Sequence, residues 1–322
     1  MKPLALLLIL SFFSCKTNLN SMKEVPVFAS NSIAALLAYP FPIKLVKIDS
    51  NIEVAYQESG QSTTSPIIFI HGLGSYMSGW NKNFDIISKS NHCFRIDLPG
   101  YGKSSKADYN SGMAFYANCI KRFCDKLKLK KVILVGHSMG GQIAVTTALE
   151  FPQMVERFVL IDPAGFETFN EVQKQALKAV TSADLILNLS EERIRQNFAV
   201  NFYKGMPDDA QFMIKDRLLM KTSPEFEIYC RIVARNVHQM LDEPIFSKLK
   251  NIQQPTIVFF GEKDALIPNR YLNPALTTEG VAQAGVKEIP HSELIMLPNA
   301  GHFSSWDQPD LLNQKILSFL HK

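Results

Sequence analysis

Apolar and polar positions follow two different periods along this chain, and the changes of period mark its architecture. Residues 43–49 and 52–58 alternate apolar and polar on either side of Ser50-Asn51, the pattern of two half-buried strands joined by a two-residue hairpin. Residues 66–70, 131–135, 155–161 and 256–260 are short, nearly continuous apolar runs, which suit strands covered on both faces. Residues 92–96 and 294–297 read as two further strands. Helical spacing fills the intervals, at 80–90, at 112–129 (Phe115, Cys119, Ile120, Phe123, Leu127) and at 307–320. A helix with a surface loop is expected within 271–291. Strands alternating with helices predict a parallel sheet, whose ligands bind at the carboxyl ends of the strands.

From 166 to 245 the strand pattern stops. Helical segments are expected at 171–181, 183–189, 191–203, 208–219 and 226–241, with Ser190 as an N-cap. The division is therefore a core of 43–165 with 246–322 and an inserted helical unit of 166–245. Within the insertion Phe198, Phe202, Phe212, Met213, Ile232 and Met240 are mostly internal packing, a minority facing a cavity.

The strand-turn-helix at 131–147 carries the chemistry. Gly136-His137-Ser138-Met139-Gly140 fits G-x-S-x-G, in which the serine sits on a strained turn with its hydroxyl clear of the sheet. Such a pentapeptide arises by chance in roughly one chain in ten of this length, so the flanking strand and helix carry the argument. A serine hydroxyl is a weak nucleophile at neutral pH and needs an imidazole to take its proton and a carboxylate to orient that imidazole. His302 is the one histidine of seven that follows the final strand in a glycine-preceded loop. Asp264 follows the strand at 256–260; Asp162, before Pro163 and Gly165, competes for the acid role but reads as a turn residue. Asp97, in a Pro- and Gly-rich turn, and His71 are expected to be structural.

HGLG at 71–74, DLPGYGKS at 97–104, GHSMGG at 136–141, FFGEKDALIP at 259–268 and NAGHF at 299–303, in that order, resemble the α/β-hydrolase fold family over residues 43 to 320. The resemblance is to its capped esterase-like and C–C-hydrolase-like members. It implies a mostly parallel eight-stranded sheet flanked by helices, with an inserted helical cap. It also implies Ser138, Asp264 and His302 as a triad, and the backbone N–H groups of Leu73 and Met139 as oxyanion donors. Serine rather than aspartate at 138 separates the chain from the resembled dehalogenases and epoxide hydrolases. The expected reaction is hydrolysis of an apolar acyl ester through an acyl-enzyme, with no cofactor. C–C bond hydrolysis and acyl transfer use the same triad. A peptidase resembling proline iminopeptidases would read a substrate amine with cap acids such as Glu191, Glu192, Asp208 and Asp209. A non-catalytic binding protein is the remaining alternative.

Composition adds bounds. Of 322 residues, 46% are hydrophobic and 20% charged, as in an ordinary globule. A formal charge of +4 with no basic run interleaved with aromatics argues against a nucleic-acid partner. Residues 1–14 have a lone Lys2 and an apolar block from Leu4 to Phe13, too short to span a bilayer. With Cys15 next, they resemble a bacterial lipoprotein signal. That implies export and a lipid on Cys15 holding the chain to a membrane, facing the periplasm or the cell exterior. An ordinary secretory peptide and an uncleaved anchor are the alternatives. Residues 15–42 then serve as lipidated tether and N-terminal segment. A short apolar patch at 33–37 is placed either near the membrane or on the cap. Cys93, Cys119, Cys124 and Cys230 read as buried thiols without metal-ligand spacing.

Overall fold

The computed structural model describes residues 28–62 and 64–321. The signal-like stretch and Cys15 lie outside the described residues.

Successive side chains of a strand point to opposite faces, so a strand buried on both sides must supply two cores at once. The continuous apolar runs do this. β3 (Ile67–Ile70), β5 (Val132–His137), β6 (Val155–Ile161) and β7 (Thr256–Gly261) occupy the middle of an eight-stranded sheet. Ile68, Ile70, Leu134, Leu160, Val258 and Phe260 face one core, and Phe69, Val135, Val159, Ile161, Ile257 and Phe259 face the other. Helices Met113–Lys126 and Met139–Glu150 close the first through residues such as Tyr116, Ile120, Ile143 and Ala144. Trp80, Phe84 and the helix Pro309–Leu320, through Leu312, Ile316 and Phe319, close the second.

With β1 (Lys44–Asp49), β2 (Ile52–Ser59), β4 (Cys93–Ile96) and β8 (Ser292–Leu297), the strand order is β1-β2-β4-β3-β5-β6-β7-β8. β1 pairs antiparallel with β2, Asp49 lying opposite Ile52 across the hairpin that Ser50-Asn51 predicts. β2 also runs antiparallel to β4, and every other pair is parallel.

Between β6 and β7 stand the helices Glu171–Ala179, Ala183–Leu187, Glu191–Ala199, Phe212–Met220 and Phe226–Asp242. Their starts are written locally. Asn170 and Gln173 form a capping box, and Ser182 and Ser190 accept N-cap bonds. Some expected elements are shorter. Only Phe84–Ile87 of 80–90 is α-helical, after a 3₁₀ turn at Met77–Trp80. Asn83 turns its amide into the core, donating to Asn313 Oδ1 at 2.9 Å, and a polar side chain so engaged interrupts the apolar period. The stretch 208–219 divides into a 3₁₀ turn, Asp208–Ala210, and Phe212–Met220. The last helix starts at Pro309, because proline fits the first helical position and no interior one.

Residues 33–37 pack against the inserted helices and also take a bond to Ala34 O from Lys103 Nζ in the loop after β4. Helix Ile33–Leu36, capped by Ser32, buries Ile33 and lays its first amide on Glu225 Oε2 at 2.8 Å. Ser223 Oγ donates to Asn31 O at 2.6 Å. Cys93, Cys119, Cys124 and Cys230 are buried free thiols.

The crossing of Met139–Glu150 over the sheet is a tight packing constraint. A Cβ on Gly140 would lie 2.2 Å from Ile70 O, and one on Gly136 would lie 2.4 Å from Gly140 O. Both obstacles are backbone and cannot turn aside. Gly140→Ala is therefore expected to lower unfolding stability by about 2 kcal/mol or more, as overpacking does, read as a reduced urea midpoint; an unchanged midpoint would contradict this close approach.

Candidate active site

Ser138 ends β5 and precedes its helix with φ 53° and ψ −119°, a strained combination for a residue with a side chain. Its amide donates to Ile161 O at 3.0 Å, and its carbonyl accepts from Gly141 N at 2.9 Å and Ala164 N at 3.1 Å. Its hydroxyl makes no capping bond to the helix it precedes and lies on the wall of a cavity of about 390 Å³.

His302, in the loop after β8, lines the same cavity. Its Nδ1 lies 2.8 Å from Asp264 Oδ2, both side chains almost wholly buried. Asp264 Oδ1 accepts the amides of Leu266 at 2.7 Å and Ile267 at 3.0 Å, so the carboxylate is fixed before it meets the imidazole. An Nδ1–H donated to Asp264 leaves Nε2 as the acceptor nitrogen. Burial opposes the imidazolium, but the Asp264 charge and hydrogen bond, with Asp162 farther off, hold His302 above its ordinary value of 6.5. The loop itself is anchored at the His302 carbonyl, which accepts from His137 Nε2 at 2.8 Å.

Asp162, the rival acid, does not pair with the imidazole. Its Oδ1 accepts from Gly261 N at 2.7 Å and its Oδ2 from the Ser304 hydroxyl, which joins the ends of β6 and β7 to the histidine loop. Burial first, and then the nearby Asp264, push its carboxyl well above the usual range. Asp97 is likewise a latch, accepting from Met77 N, Lys103 N and Tyr39 OH, each at 2.7 Å.

The loop after β3 brings Leu73 to the cavity wall. His71 stiffens it: Leu98 N–H donates to Nε2 at 3.1 Å, which leaves Nδ1–H to donate to Gly72 O at 2.8 Å. Burial pulls His71 down to about 4, so this neutral tautomer persists near pH 7. Met139 is fully buried and gives no side chain to the cavity. As first residue of its helix, it carries an amide with no intrahelical acceptor.

The rest of the wall is largely apolar, with Phe169, Leu177, Val237, Met240 and Leu241 from the insertion and Leu266 and Ile267 from the loop after β7. Of the six insertion residues expected to be chiefly packing, Met240 lines the cavity. Glu191, Glu192, Asp208 and Asp209 are exposed and do not reach it. The carboxylate on the wall is Glu167, which accepts from Asn269 N at 2.9 Å and Asn273 Nδ2 at 2.6 Å. Gln142 also lines the cavity and ties insertion to core, donating to Met240 O and Glu243 O at 3.0 Å each. Sequence reasoning passed over both residues. Glu167 sits just past a strand end, where a search of post-strand loops would have met it; Gln142 carries no local signal.

A glycine-flanked serine at a strained strand-to-helix turn, a buried His–Asp pair and a shared cavity over strand ends define an α/β-hydrolase arrangement. The model of the alpha/beta hydrolase fold family matches residues 65–309, and the chain belongs to that family. It is 27% identical over 289 residues to 2-hydroxy-6-oxononadienedioate/2-hydroxy-6-oxononatrienedioate hydrolase 1 of Pseudomonas putida, covering 86% of this chain and 96% of that one. It is also 28% identical over 270 residues to the dihydrolipoyllysine-residue acetyltransferase component of an acetoin cleaving system from the same species, covering 82% of this chain. The match spans 66% of that relative's length. A probable hydrolytic enzyme of Pseudomonas aeruginosa PAO1 superposes with a TM-score of 0.78 at 23% identity, over 88% of this chain and 95% of that one.

Titration of the His302 ring by NMR should give a midpoint above 6.5, because the Asp264 contact favours the charged ring. In Asp264→Asn burial acts with less opposition and the midpoint should fall by at least one unit, about 1.4 kcal/mol; a midpoint that does not move removes Asp264 as the cause.

Proposed function

We propose that this protein is a serine hydrolase that cleaves carboxylic esters of neutral, apolar acyl groups through an acyl-enzyme. One observation carries the reading: His302, paired through Nδ1 with the buried Asp264, shares a cavity with the uncapped hydroxyl of Ser138. His302 Nε2 takes the Ser138 proton as Oγ attacks the ester carbonyl, and the imidazolium that forms is stabilised by Asp264. The Leu73 and Met139 amides hold the tetrahedral oxyanion. The same imidazolium protonates the leaving alkoxide, and His302 then activates water to release the acid and restore Ser138.

The wall chemistry favours a neutral acyl group. Glu167 is a carboxylate on the wall, and Lys174, the one Lys or Arg among the described lining residues, pairs with Glu171 at 2.7 Å. Ester cleavage is therefore favoured over a C–C reaction on a dianionic compound such as the one in the relative's name, whose carboxylates would find no unpaired Lys or Arg there. At the cell level, we propose that lipidation at Cys15 holds the exported enzyme at a membrane surface. Among the described residues no helix is long and apolar enough to cross a membrane.

Ser138→Ala should reduce hydrolysis of short p-nitrophenyl esters by about 10⁴-fold or more and abolish labelling by a fluorophosphonate probe; activity equal to wild type ends the assignment. Cys15→Ser should move the protein from the membrane to the soluble fraction while catalysis is retained. A variant that stays with the membrane removes Cys15 as its anchor.

A further inference from the structure

We propose that Arg217, on the cap helix Phe212–Met220, is a positioning residue that holds the loop bearing the Leu73 amide, so that a seated cap completes the oxyanion site. The inference rests on the ester-hydrolase reading above. Arg217 Nη2 donates to Gly74 O at 2.5 Å, 143 residues away in sequence. Its neighbour Asp216 accepts from Tyr76 OH at 2.6 Å. Two adjacent residues of one cap helix therefore grip both ends of the segment 74–76.

The loop needs such a grip. Leu73 lies between Gly72 and Gly74, and Gly74 has φ +67°, a conformation open to glycine at little cost. On the amino side, the peptide that carries the Leu73 N–H also carries the Gly72 carbonyl, which His71 Nδ1 holds from the core. A planar trans peptide transmits that restraint directly to the N–H. On the carboxyl side the bonds to the Gly74 carbonyl both come from the inserted helices, the short one from Arg217 Nη2 and a long one, 3.5 Å, from Tyr229 OH.

The environment of Arg217 argues that the bond is its purpose. Its guanidinium lies 5.4 Å from the ring centroid of Phe198 and 5.0 Å from that of Tyr229. It forms no ion pair among the described residues, and its Nε is buried without an acceptor. The residue is half-buried, and cation–π attraction to the two rings helps fix where its guanidinium sits. What the fold gains is a charge-assisted hydrogen bond, shorter and stronger than a neutral one, aimed at the segment that follows Leu73. Oxyanion donors act through preorganisation, so a loop free to tilt loses rate with no loss of substrate binding.

Arg217→Met keeps much of the side-chain volume and removes the donors; Arg217→Lys restores one charged donor. In Arg217→Met we expect kcat on p-nitrophenyl butyrate to fall about 10- to 100-fold with KM changed less than about threefold. The rate of fluorophosphonate labelling at Ser138 should fall in parallel, and Arg217→Lys should recover part of both. Hydrogen exchange at residues 72–75 reads the loop itself and should accelerate in Arg217→Met whether or not an ester is turned over. Unchanged exchange at 72–75 overturns the proposal. So does a kcat loss that merely tracks the unfolded fraction in a thermal melt, or a loss carried by KM. A wild-type protein that neither turns over esters nor takes the label would defeat the ester reading alone, and the exchange result would still decide the role of Arg217 in holding the loop.

Discussion

At residue 138 the chain passes from strand to helix within one residue, in a backbone conformation that costs on the order of 1–3 kcal/mol for a non-glycine. It persists because its surroundings over-determine it. The Ser138 amide is held by Ile161, its carbonyl by Gly141 and Ala164, and the helix it precedes is buried along Ile143, Ala144, Val145 and Ala148. The helix can lie that close only because Gly136 and Gly140 leave no Cβ between it and the sheet. A hydroxyl is thereby lifted above the strand ends, and the helix's first amide, that of Met139, is left free beside it. The loops after β3, β7 and β8 are arranged around this one turn.

A second constraint follows from bringing ionisable groups to the same buried place. Asp162, Asp264 and His302 lie at adjacent strand ends with almost no solvent to screen them. The Asp264 carboxylate, with burial, raises the cost of ionising Asp162, and the structure separates the duties of the two through hydrogen bonds. Asp264 receives the Leu266 and Ile267 amides with the imidazole, whereas Asp162 receives the Gly261 amide and the Ser304 hydroxyl. One carboxylate is placed to stabilise a charged ring; the other ties the loops that present that ring.

The inserted helices are joined to the core at several points, from Gln142 on the helix after Ser138 to Arg217 and Asp216 at the loop after β3. They also hold the helix Ile33–Leu36 through Glu225 and Ser223. An insertion tied in this way shapes the cavity beside Ser138 and bears on the geometry of the loop after β3.

Much of this was legible in the sequence because it is written locally. Continuous apolar runs specify strands buried on both faces, Ser50-Asn51 specifies a hairpin, and G-x-S-x-G between strand and helix specifies the turn at Ser138; each depends on neighbours within a few residues. Order along the chain was enough to nominate His302 and to prefer Asp264. What tertiary structure decided are the pairings across long separations: Asp264 rather than Asp162 against the imidazole, Glu167 rather than the exposed cap acids on the cavity wall, and Arg217 on Gly74. Polar side chains such as Asn83, Gln142 and Arg217 leave no period in a sequence, since their partners lie on other elements. Only the packed fold brings a donor within reach of its acceptor, and so their roles existed nowhere in the chain until it folded.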